Sequence, residues 1–475
     1  MFLGNKLVFS LLLFGLIASG ATAKVLLRWT QSNIPPANNL GMSEIAIPWN
    51  ANAKNLMVIA KAKGYRVYLE VSPQEAAAVA GTEANAGITG LLLAPASGEE
   101  HDAETLIEKL RSSYPKLTFR LLFSHEKQPK MRGHLLFENN GTVQASSPSE
   151  QPWVDSNLAA IRLARAFHSD ARPLYSFAWE QSDPLQKQLG PRAEEYALAI
   201  AEAGACHADL LLEVPENLQN SLADDKPEAW GTWRQLTPFV DFYDRENGEA
   251  LTSVASVAVW TDGRQGSYEP VNLMARHNIP FRLLTKDHLD SNSLKDMDVL
   301  VSFVAPEKEQ VAIISKYASE GGTVVLVGAH GSFPWQSTDA VRHTDQSKVF
   351  SFGKGKVIEV SGPIVNPETF AQDLRRLMTK GTIPVSLWNS LTTLVIAYRD
   401  PHSDQTVLEL INYEAEAVQV QVQVKGAFAS IRYQSPEQAC CEALTPRFVD
   451  GFTEFVVPHV VIGGRVYLEP AKTTR

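Results

Sequence analysis

The feature that most constrains the fold is the alternation of short apolar runs with helical segments between Lys24 and about Asp244. Strands that alternate with helices in this way are typical of parallel sheets with crossover helices. Seven or eight such units over about 220 residues predict a (β/α)8-type barrel in residues 24–247, with an open doubly wound sheet as the alternative. The seven apolar runs are KVLLRW (24–29), SEIAIPW (43–49), YRVYLEV (65–71), GITGLLLAP (87–95), LTFRLLFS (117–124), RPLYSFAWE (172–180) and ADLLLEVP (208–215).

Two segments make this barrel irregular. TQSNIPPANNLG follows the first run, is polar and short, and carries two prolines, so it predicts that the first helix is nearly missing. GHLLFENNGTVQASS (133–147) is either an eighth strand or a hairpin that turns at Asn140 and Gly141. The hairpin is favoured because Asn-Gly is a strong signal for a two-residue turn.

The first 23 residues have the pattern of a cleaved signal peptide: Lys6, the apolar stretch LVFSLLLFGLIASG, and the small-x-small site at Ala21–Ala23. We therefore expect a mature chain that starts at Lys24 and is periplasmic or secreted. No cysteine follows the cleavage site, so no lipid anchor is expected. No later apolar run reaches the roughly 18 residues of a transmembrane helix, so no integral membrane span is expected.

The charge of the chain argues against nucleic acid as a partner. Removal of residues 1–23 takes away Lys6 and no acidic residue, which moves the formal net charge from -10 to -11. An acidic chain repels the phosphate backbone, so neutral substrates fit better.

The cysteines predict neither a disulfide framework nor a zinc site, because the chain has only Cys206, Cys440 and Cys441. Cys440 and Cys441 form a vicinal disulfide, or remain free thiols, or one of them pairs with Cys206. The vicinal disulfide is the least favoured of these, because adjacent cysteines form a strained bridge. No metal cluster is evident, and the GRQG loop (263–266) is interpreted as a tight turn, so no cofactor is expected.

Two further domains follow the barrel. Residues 253–380 alternate strands and helices and predict a small flavodoxin-like, doubly wound α/β domain. From 384 to 470 the pattern changes to period-two alternation with polar turns, which predicts an antiparallel β-sandwich.

Two stretches carry a resemblance to a known family. KDMDVLVSFVAPEKEQVAIISKYASEGGTVVLVG resembles the amidotransferase-like "trimerisation" domain of barrel-type β-galactosidases, and LELINYEAEAVQVQVQVKG through FVVPHVVIGGRVYLEP resembles their terminal sandwich. The resemblance implies a glycoside hydrolase that acts on carbohydrate, and a homo-oligomer formed through the middle domain. Thiol chemistry is excluded there, because Pro306 and Glu307 follow the strand where an amidotransferase has its cysteine.

The barrel departs from that family, because no Asn-Glu pair follows GITGLLLAP, where Ala94, Pro95 and Ala96 stand. The catalytic candidates therefore come from the polar residues that end apolar runs, since barrel sites form at the C-terminal ends of strands. Hydrolysis of a glycosidic bond needs two carboxylates. We predict Glu180 and Glu213 as the catalytic pair, with Glu70 in reserve; the alternative is that these glutamates cap helices or pair with arginine.

The same strand ends carry the predicted substrate-binding residues. They are Trp29, Trp49, Glu70, His125, Glu126 and Trp179. The tryptophans either line a sugar cleft or plug the top of the barrel. Because the Asn-Glu pair is missing and the first helix is thin, a non-catalytic carbohydrate-binding or scaffold protein on a degenerate barrel remains the alternative to an enzyme.

Overall fold

The structure is a computed structural model. It describes residues 25–96, 98–123, 130–131, 136–139, 142–145, 157–167, 174–179, 191–244, 251–263, 265–337, 339–344, 346–378, 381–390, 392–414, 416–438 and 441–471.

The N-terminal unit is a closed barrel of seven parallel strands. The strands of this region are β1 (Val25–Arg28), β2 (Glu44–Pro48), β3 (Arg66–Val71), β4 (Gly90–Leu93), β5 (Thr118–Phe123), β6 (Lys130–Met131), β7 (Leu136–Asn139), β8 (Thr142–Ala145), β9 (Leu174–Ser176), β10 (Ala178–Trp179) and β11 (Asp209–Glu213). The barrel closes in the order β1-β11-β9-β5-β4-β3-β2. Each of the seven apolar runs supplies one of these strands, so their prediction is confirmed. The open sheet is wrong, because β1 pairs with both β2 and β11.

The eight-stranded count is corrected to seven for the described part of the chain. The segment that offered an eighth strand forms an antiparallel hairpin of β7 and β8, with Asn139 opposite Thr142. A hairpin pairs its strands with each other, whereas a barrel strand needs a parallel neighbour on each side. The alternative based on Asn140-Gly141 is therefore confirmed.

The helices of this unit follow the strands as predicted, and the first helix is very short. They are α1 (Ala37–Leu40), α2 (Ala53–Ala62), α3 (Pro73–Glu83), α4 (Glu100–Ser113), α5 (Leu158–Phe167), α6 (Ala193–Ala205), α7 (Glu216–Ala223) and α8 (Pro227–Asp244). Helix α1 has only four residues, starts directly after Pro36 and ends at Gly41, whose φ is 70°. No helix of the described residues is long and apolar enough to cross a membrane.

Inside the barrel, side chains form layers because every second residue of a strand faces the axis. The middle layer is apolar and takes one residue from each strand: Leu26, Ala46, Tyr68, Leu92, Leu122, Leu174 and Leu211. Two residues further along the strands, at their C-terminal ends, the inward-facing residues include Arg28, Glu70, Ser176 and Glu213. Two residues before the middle layer, the inward-facing residues include Glu44, Arg66, Arg120 and Asp209. The barrel thus has an apolar centre between two polar layers.

The middle unit is a seven-stranded sheet. Its elements are β13 (Val257–Trp260), β14 (Phe281–Leu284), β15 (Val299–Ser302), β16 (Thr323–Val327), β17 (Arg342–His343), β18 (Ser347–Phe352), β19 (Gly355–Val360), α9 (Gln265–Arg276), α10 (Lys308–Glu320) and α11 (Pro367–Leu377). The parallel part runs β14-β13-β15-β16-β19, which is the 2-1-3-4-5 order of flavodoxin-like sheets. The predicted α/β class is confirmed. The antiparallel end formed by β18 and β17 was not predicted.

The C-terminal unit is the predicted antiparallel sandwich. Its strands are β12 (Thr252–Ser253), β20 (Val385–Trp388), β21 (Thr393–Arg399), β22 (Thr406–Asn412), β23 (Val418–Lys425), β24 (Phe428–Gln434), β25 (Glu442–Leu444), β26 (Arg447–Val449), β27 (Phe452–Val460) and β28 (Gly463–Pro470). One sheet has the order β12-β21-β22-β28-β24-β25 and the other β20-β23-β27-β26. Strand β12 comes from the segment after the barrel, so the linker itself joins the sandwich.

The sandwich packs directly on the barrel. Tyr398 donates a hydrogen bond of 2.9 Å to the Ala205 carbonyl, and the Tyr413 hydroxyl lies 2.7 Å from Glu202 Oε1. Cys206 is buried at this interface, and burial raises the pKa of its thiol to about 12. The pairing suggested for Cys440 and Cys441 involves Cys440, which lies outside the described residues.

Candidate functional site

The C-terminal mouth of the barrel holds one arginine between two glutamates. Arg28 donates from Nε to Glu70 Oε2 at 2.7 Å and from Nη2 to Glu70 Oε1 at 2.9 Å. Its Nη1 donates to Glu213 Oε2 at 2.9 Å. The Ser176 hydroxyl donates to Glu213 Oε1. Glu213 therefore contacts a cation through one oxygen and a hydroxyl through the other.

Strand register brings these side chains together. Arg28 and Glu213 are direct partners of the parallel pair β1 and β11, so they stand at the same height in the barrel. Glu70 lies on β3, one strand beyond β2. The β2 partner of Arg28 is Ala46, whereas the β2 partner of Glu70 is Pro48, so Glu70 stands further toward the C-terminal end than Arg28 does. The long arginine side chain spans this offset to reach Glu70.

The mouth is only partly open to solvent, and this shapes its electrostatics. The side chain of Glu70 is 14% exposed, that of Arg28 is 28% exposed and that of Glu213 is 37% exposed. Burial raises the pKa of Glu70 above its ordinary value, the Arg28 charge opposes that rise, and the Glu213 charge adds to it. Burial also works against the charge of Arg28, but the two carboxylates outweigh it and raise the pKa of the guanidinium.

The two carboxylates are held beside one cation. Both hydrogen-bond at 2.9 Å to the same planar guanidinium. Arg28 therefore fixes Glu70 and Glu213 as neighbours at the mouth of the barrel.

A buried glutamine fixes the loops on either side of the mouth. Gln219 donates from Nε2 to the Val214 carbonyl, and its Oε1 accepts from the Thr30 amide, both at 2.9 Å. It thereby joins the end of β11 to the loop after β1. Helix α7 begins at Glu216, so this glutamate lies in the first turn of the helix.

The sequence candidates divide into those at the mouth and those outside the described residues. Arg28 pairs with both Glu213 and Glu70. Glu213 therefore has an arginine partner, and a second carboxylate lies on the other side of that arginine. Glu180, His125 and Glu126 lie outside the described residues. Their assignments as catalytic or substrate-binding residues stay predictions.

The three tryptophans have different surroundings. The Trp29 ring is fully buried in the layer under the helices, and its Nε1 donates to the Asn33 carbonyl at 2.9 Å. Trp49 is half-buried, with Lys54 Nζ 5.8 Å from its ring centroid. Trp179 lies in β10, and its side chain is outside the described part of the structure. The role of each in binding sugar stays a prediction.

Arg28 and Ser176 were missed in the sequence. The signal for Arg28 was present, because it is the polar residue that ends the first apolar run, KVLLRW. Within the described ranges no group of three or more His, Cys, Asp and Glu is arranged to hold a metal ion.

Comparisons with known proteins agree with the architecture. No family profile matches the chain, and no curated protein matches it in sequence. Solved structures do match it in fold. Alpha-L-fucosidase isoenzyme 2 from Paenibacillus thiaminolyticus aligns with a TM-score of 0.59 at 10% identity, over 95% of this chain and 100% of that one.

Two β-galactosidases align over similar lengths. The enzyme from Rahnella sp. R3 has a TM-score of 0.52 at 9% identity and covers 93% of this chain and 98% of its own. The enzyme from Bacillus circulans sp. alkalophilus has a TM-score of 0.51 at 9% identity, over 94% of this chain and 99% of its own. The chain shares the fold of these glycoside hydrolases. At such identities the likeness concerns the fold alone, so the chemistry has to be argued from the mouth of the barrel.

Proposed function

We propose that this chain is a glycoside hydrolase that cleaves O-glycosidic bonds of a carbohydrate with two carboxylates at the mouth of its barrel. The observation that carries the proposal is the placement of Glu70 and Glu213 on one guanidinium at the C-terminal strand ends. Barrel enzymes build their sites at these ends. The shared fold with fucosidase and galactosidase structures supports the same class of reaction.

Glu213 is proposed as the ionised carboxylate, the nucleophile or the base. Arg28 and Ser176 both donate to it, so donors hold both of its carboxylate oxygens in place. The proton donor is proposed to be Glu180, as predicted from the sequence, or Glu70. Glu70 has the property an acid needs, since burial raises its pKa.

The main experiment compares two glutamates that lie three residues apart. Wild type, Glu213→Gln and Glu216→Gln are assayed on a panel of aryl glycosides and oligosaccharides. Loss of the nucleophile or base is expected to lower kcat by about 10³-fold or more in Glu213→Gln. Glu216→Gln is the matched control and is expected to stay within about twofold. Wild-type turnover in Glu213→Gln would remove the proposal for this residue.

A second pair of variants identifies the acid. Glu180→Gln and Glu70→Gln are assayed on an ordinary aryl glycoside and on one whose leaving group departs without protonation. The variant that lacks the acid is expected to lose turnover on the first substrate and to retain it on the second, because only the first needs a proton at the leaving oxygen. If neither variant shows this difference, neither glutamate is the acid.

A specific observation also favours a non-catalytic, carbohydrate-binding protein. Arg28 pairs with both carboxylates, and such ion clusters also serve as structural ties. This alternative predicts that wild type hydrolyses no member of the panel yet binds one of its glycans by calorimetry. A purely structural component predicts no glycan binding and an oligomer in sedimentation experiments.

We also propose that the chain is exported and that residues 1–23 are removed. The pattern of those residues supports this. Intact mass of protein recovered from the periplasm or the medium of an expressing cell is expected to start at Lys24. Retention of the full chain in the cytoplasm would contradict export.

A further inference from the structure

A pocket of about 200 Å³ lies beside the mouth, between the ends of β1 and β2 and the first turns of α2. It is next to the carboxylates along the chain and across the sheet. Thr30, in its rim, follows Arg28 by two residues, and Pro48, in its wall, is the strand partner of Glu70. The pocket therefore borders the strand ends that carry Arg28 and Glu70.

The size of the pocket limits what it holds. Pockets for drug-sized ligands occupy about 300 to 1,000 Å³. A pocket of about 200 Å³ is suited to a single monosaccharide unit instead.

The lining is uncharged, and its exposed side chains are polar. Trp29, Ile47 and Leu56 line the pocket but are at most 5% exposed, and none of the described residues that line the pocket carries a charge. A neutral sugar has a matching character, because its hydroxyl groups are polar and uncharged. A uronic acid or a sulfated sugar would lose the hydration of its charge without a cation to replace it.

Three asparagines supply the polar side of the pocket: Asn50, Asn52 and Asn55. Each amide both donates and accepts, as a sugar hydroxyl does. Asn52 occupies the N-cap position of α2, where asparagine commonly caps the helix, yet its side chain makes no capping hydrogen bond. The Asn52 side chain therefore does not cap this helix.

We propose that this pocket is a subsite for one uncharged sugar unit, adjacent to the unit whose bond the carboxylates cleave. The proposal rests on the proposed function. It implies a substrate of at least two sugar units.

The binding test uses Glu213→Gln protein, so that no turnover occurs. Galactose, glucose, mannose and fucose are titrated by calorimetry, with glucuronic acid as the charged comparison. At least one neutral sugar is expected to bind, and the added changes Asn52→Ala and Asn55→Ala are expected to weaken it about tenfold, since two hydrogen bonds are lost. Val58→Ala is the matched control, because Val58 is 63% exposed on α2 and does not line the pocket.

The kinetic test uses the protein without the Glu213 change. With an oligosaccharide substrate, Asn52→Ala combined with Asn55→Ala is expected to raise KM about tenfold and leave kcat within twofold. With an aryl glycoside of one sugar unit, KM is expected to stay the same. Asn55→Trp, which fills the pocket by bulk, is the second variant, and thermal melts establish that each variant folds.

The outcomes separate this inference from the proposed function. If hydrolysis needs Glu213 but is unchanged by the asparagine substitutions, the subsite proposal is wrong and the proposed hydrolase function stands. Asparagine-dependent binding of a neutral sugar without any hydrolysis supports the pocket and contradicts the enzyme. Equal binding of all variants, no binding of any neutral sugar, or glucuronic acid bound as tightly as the neutral sugars overturns the subsite.

Discussion

The two ends of the barrel carry ion pairs built by the same alternation of residues along the strands, yet the side chains of those pairs differ in exposure. At the N-terminal end, Arg120 pairs with Asp209, and both side chains are 7% exposed. At the C-terminal mouth, one arginine serves two glutamates, and the side chain of Glu213 is 37% exposed. Gly90, near the N-terminal end, also shows tight packing, because a Cβ there would lie 2.0 Å from the Thr118 carbonyl oxygen.

The difference separates a buried end of the barrel from one that solvent reaches. Two side chains that are each 7% exposed, such as Arg120 and Asp209, are not accessible to a ligand. A shared arginine leaves one carboxylate accessible and the other with a raised pKa, which is the asymmetry that acid and base roles require. The barrel uses similar residue types for both ends, and their surroundings decide what each can do.

The largest effect is expected at the closed end. Asp209→Ala leaves Arg120 buried without this partner and is expected to lower the free energy of unfolding by about 3 to 5 kcal/mol. Denaturant unfolding measures it. Arg376→Met is the control, because its pair with Asp373 is exposed and is expected to contribute below about 1 kcal/mol. Equal losses from the two variants would mean that burial does not distinguish the pairs.

An intermediate effect is expected from Arg28→Met at the mouth. Removing the cation between the carboxylates is expected to lower kcat/KM by about 10² to 10³, while stability falls less than in Asp209→Ala, because the partly exposed glutamates can take up protons or water. Arg28→Lys keeps the charge but loses the two-pronged contact with Glu70 and is expected to lie between. If Arg28→Met retained activity and lost stability as Asp209→Ala does, both ends would be structural.

The smallest effect is a pH dependence of stability at Glu70. Its folded pKa is raised above the ordinary value of 4.5, so its contribution to stability is present below about pH 4.5 and is lost as pH rises through the folded pKa. The stability of wild type relative to Glu70→Gln is therefore expected to decline as pH rises from 4 toward neutrality. Denaturant unfolding at several pH values measures this. A relative stability that rises with pH would show that the Arg28 charge outweighs burial.

Much of the fold was predictable because burial leaves a direct mark on sequence. Strands covered on both faces read as apolar runs such as DLLLEV, and the two prolines before Ala37 explain the short first helix. The hairpin at Asn140-Gly141 was predictable from its turn residues. The antiparallel hairpin of β18 and β19, in which Phe352 lies opposite Gly355, was not predicted, although its turn is as local as that of the first hairpin.

For the candidate site, the sequence identified positions but not partners. Glu70 and Glu213 were found because each ends an apolar run. Arg28 ends one too, but no local sequence pattern indicates that its side chain lies in space between those of Glu70 and Glu213. That adjacency exists only because β11 pairs with β1 and closes the barrel.

The sequence by itself determined the barrel strands, the order of the three units and the strand ends where chemistry was to be sought, since burial and turn chemistry act on neighbouring residues. Only the tertiary structure decided that Glu213 faces both an arginine and a second carboxylate. Closure of the barrel brings Arg28 to Glu213, which is 185 positions away in the sequence, and to Glu70, which is 42 positions away. No local sequence pattern encodes these contacts.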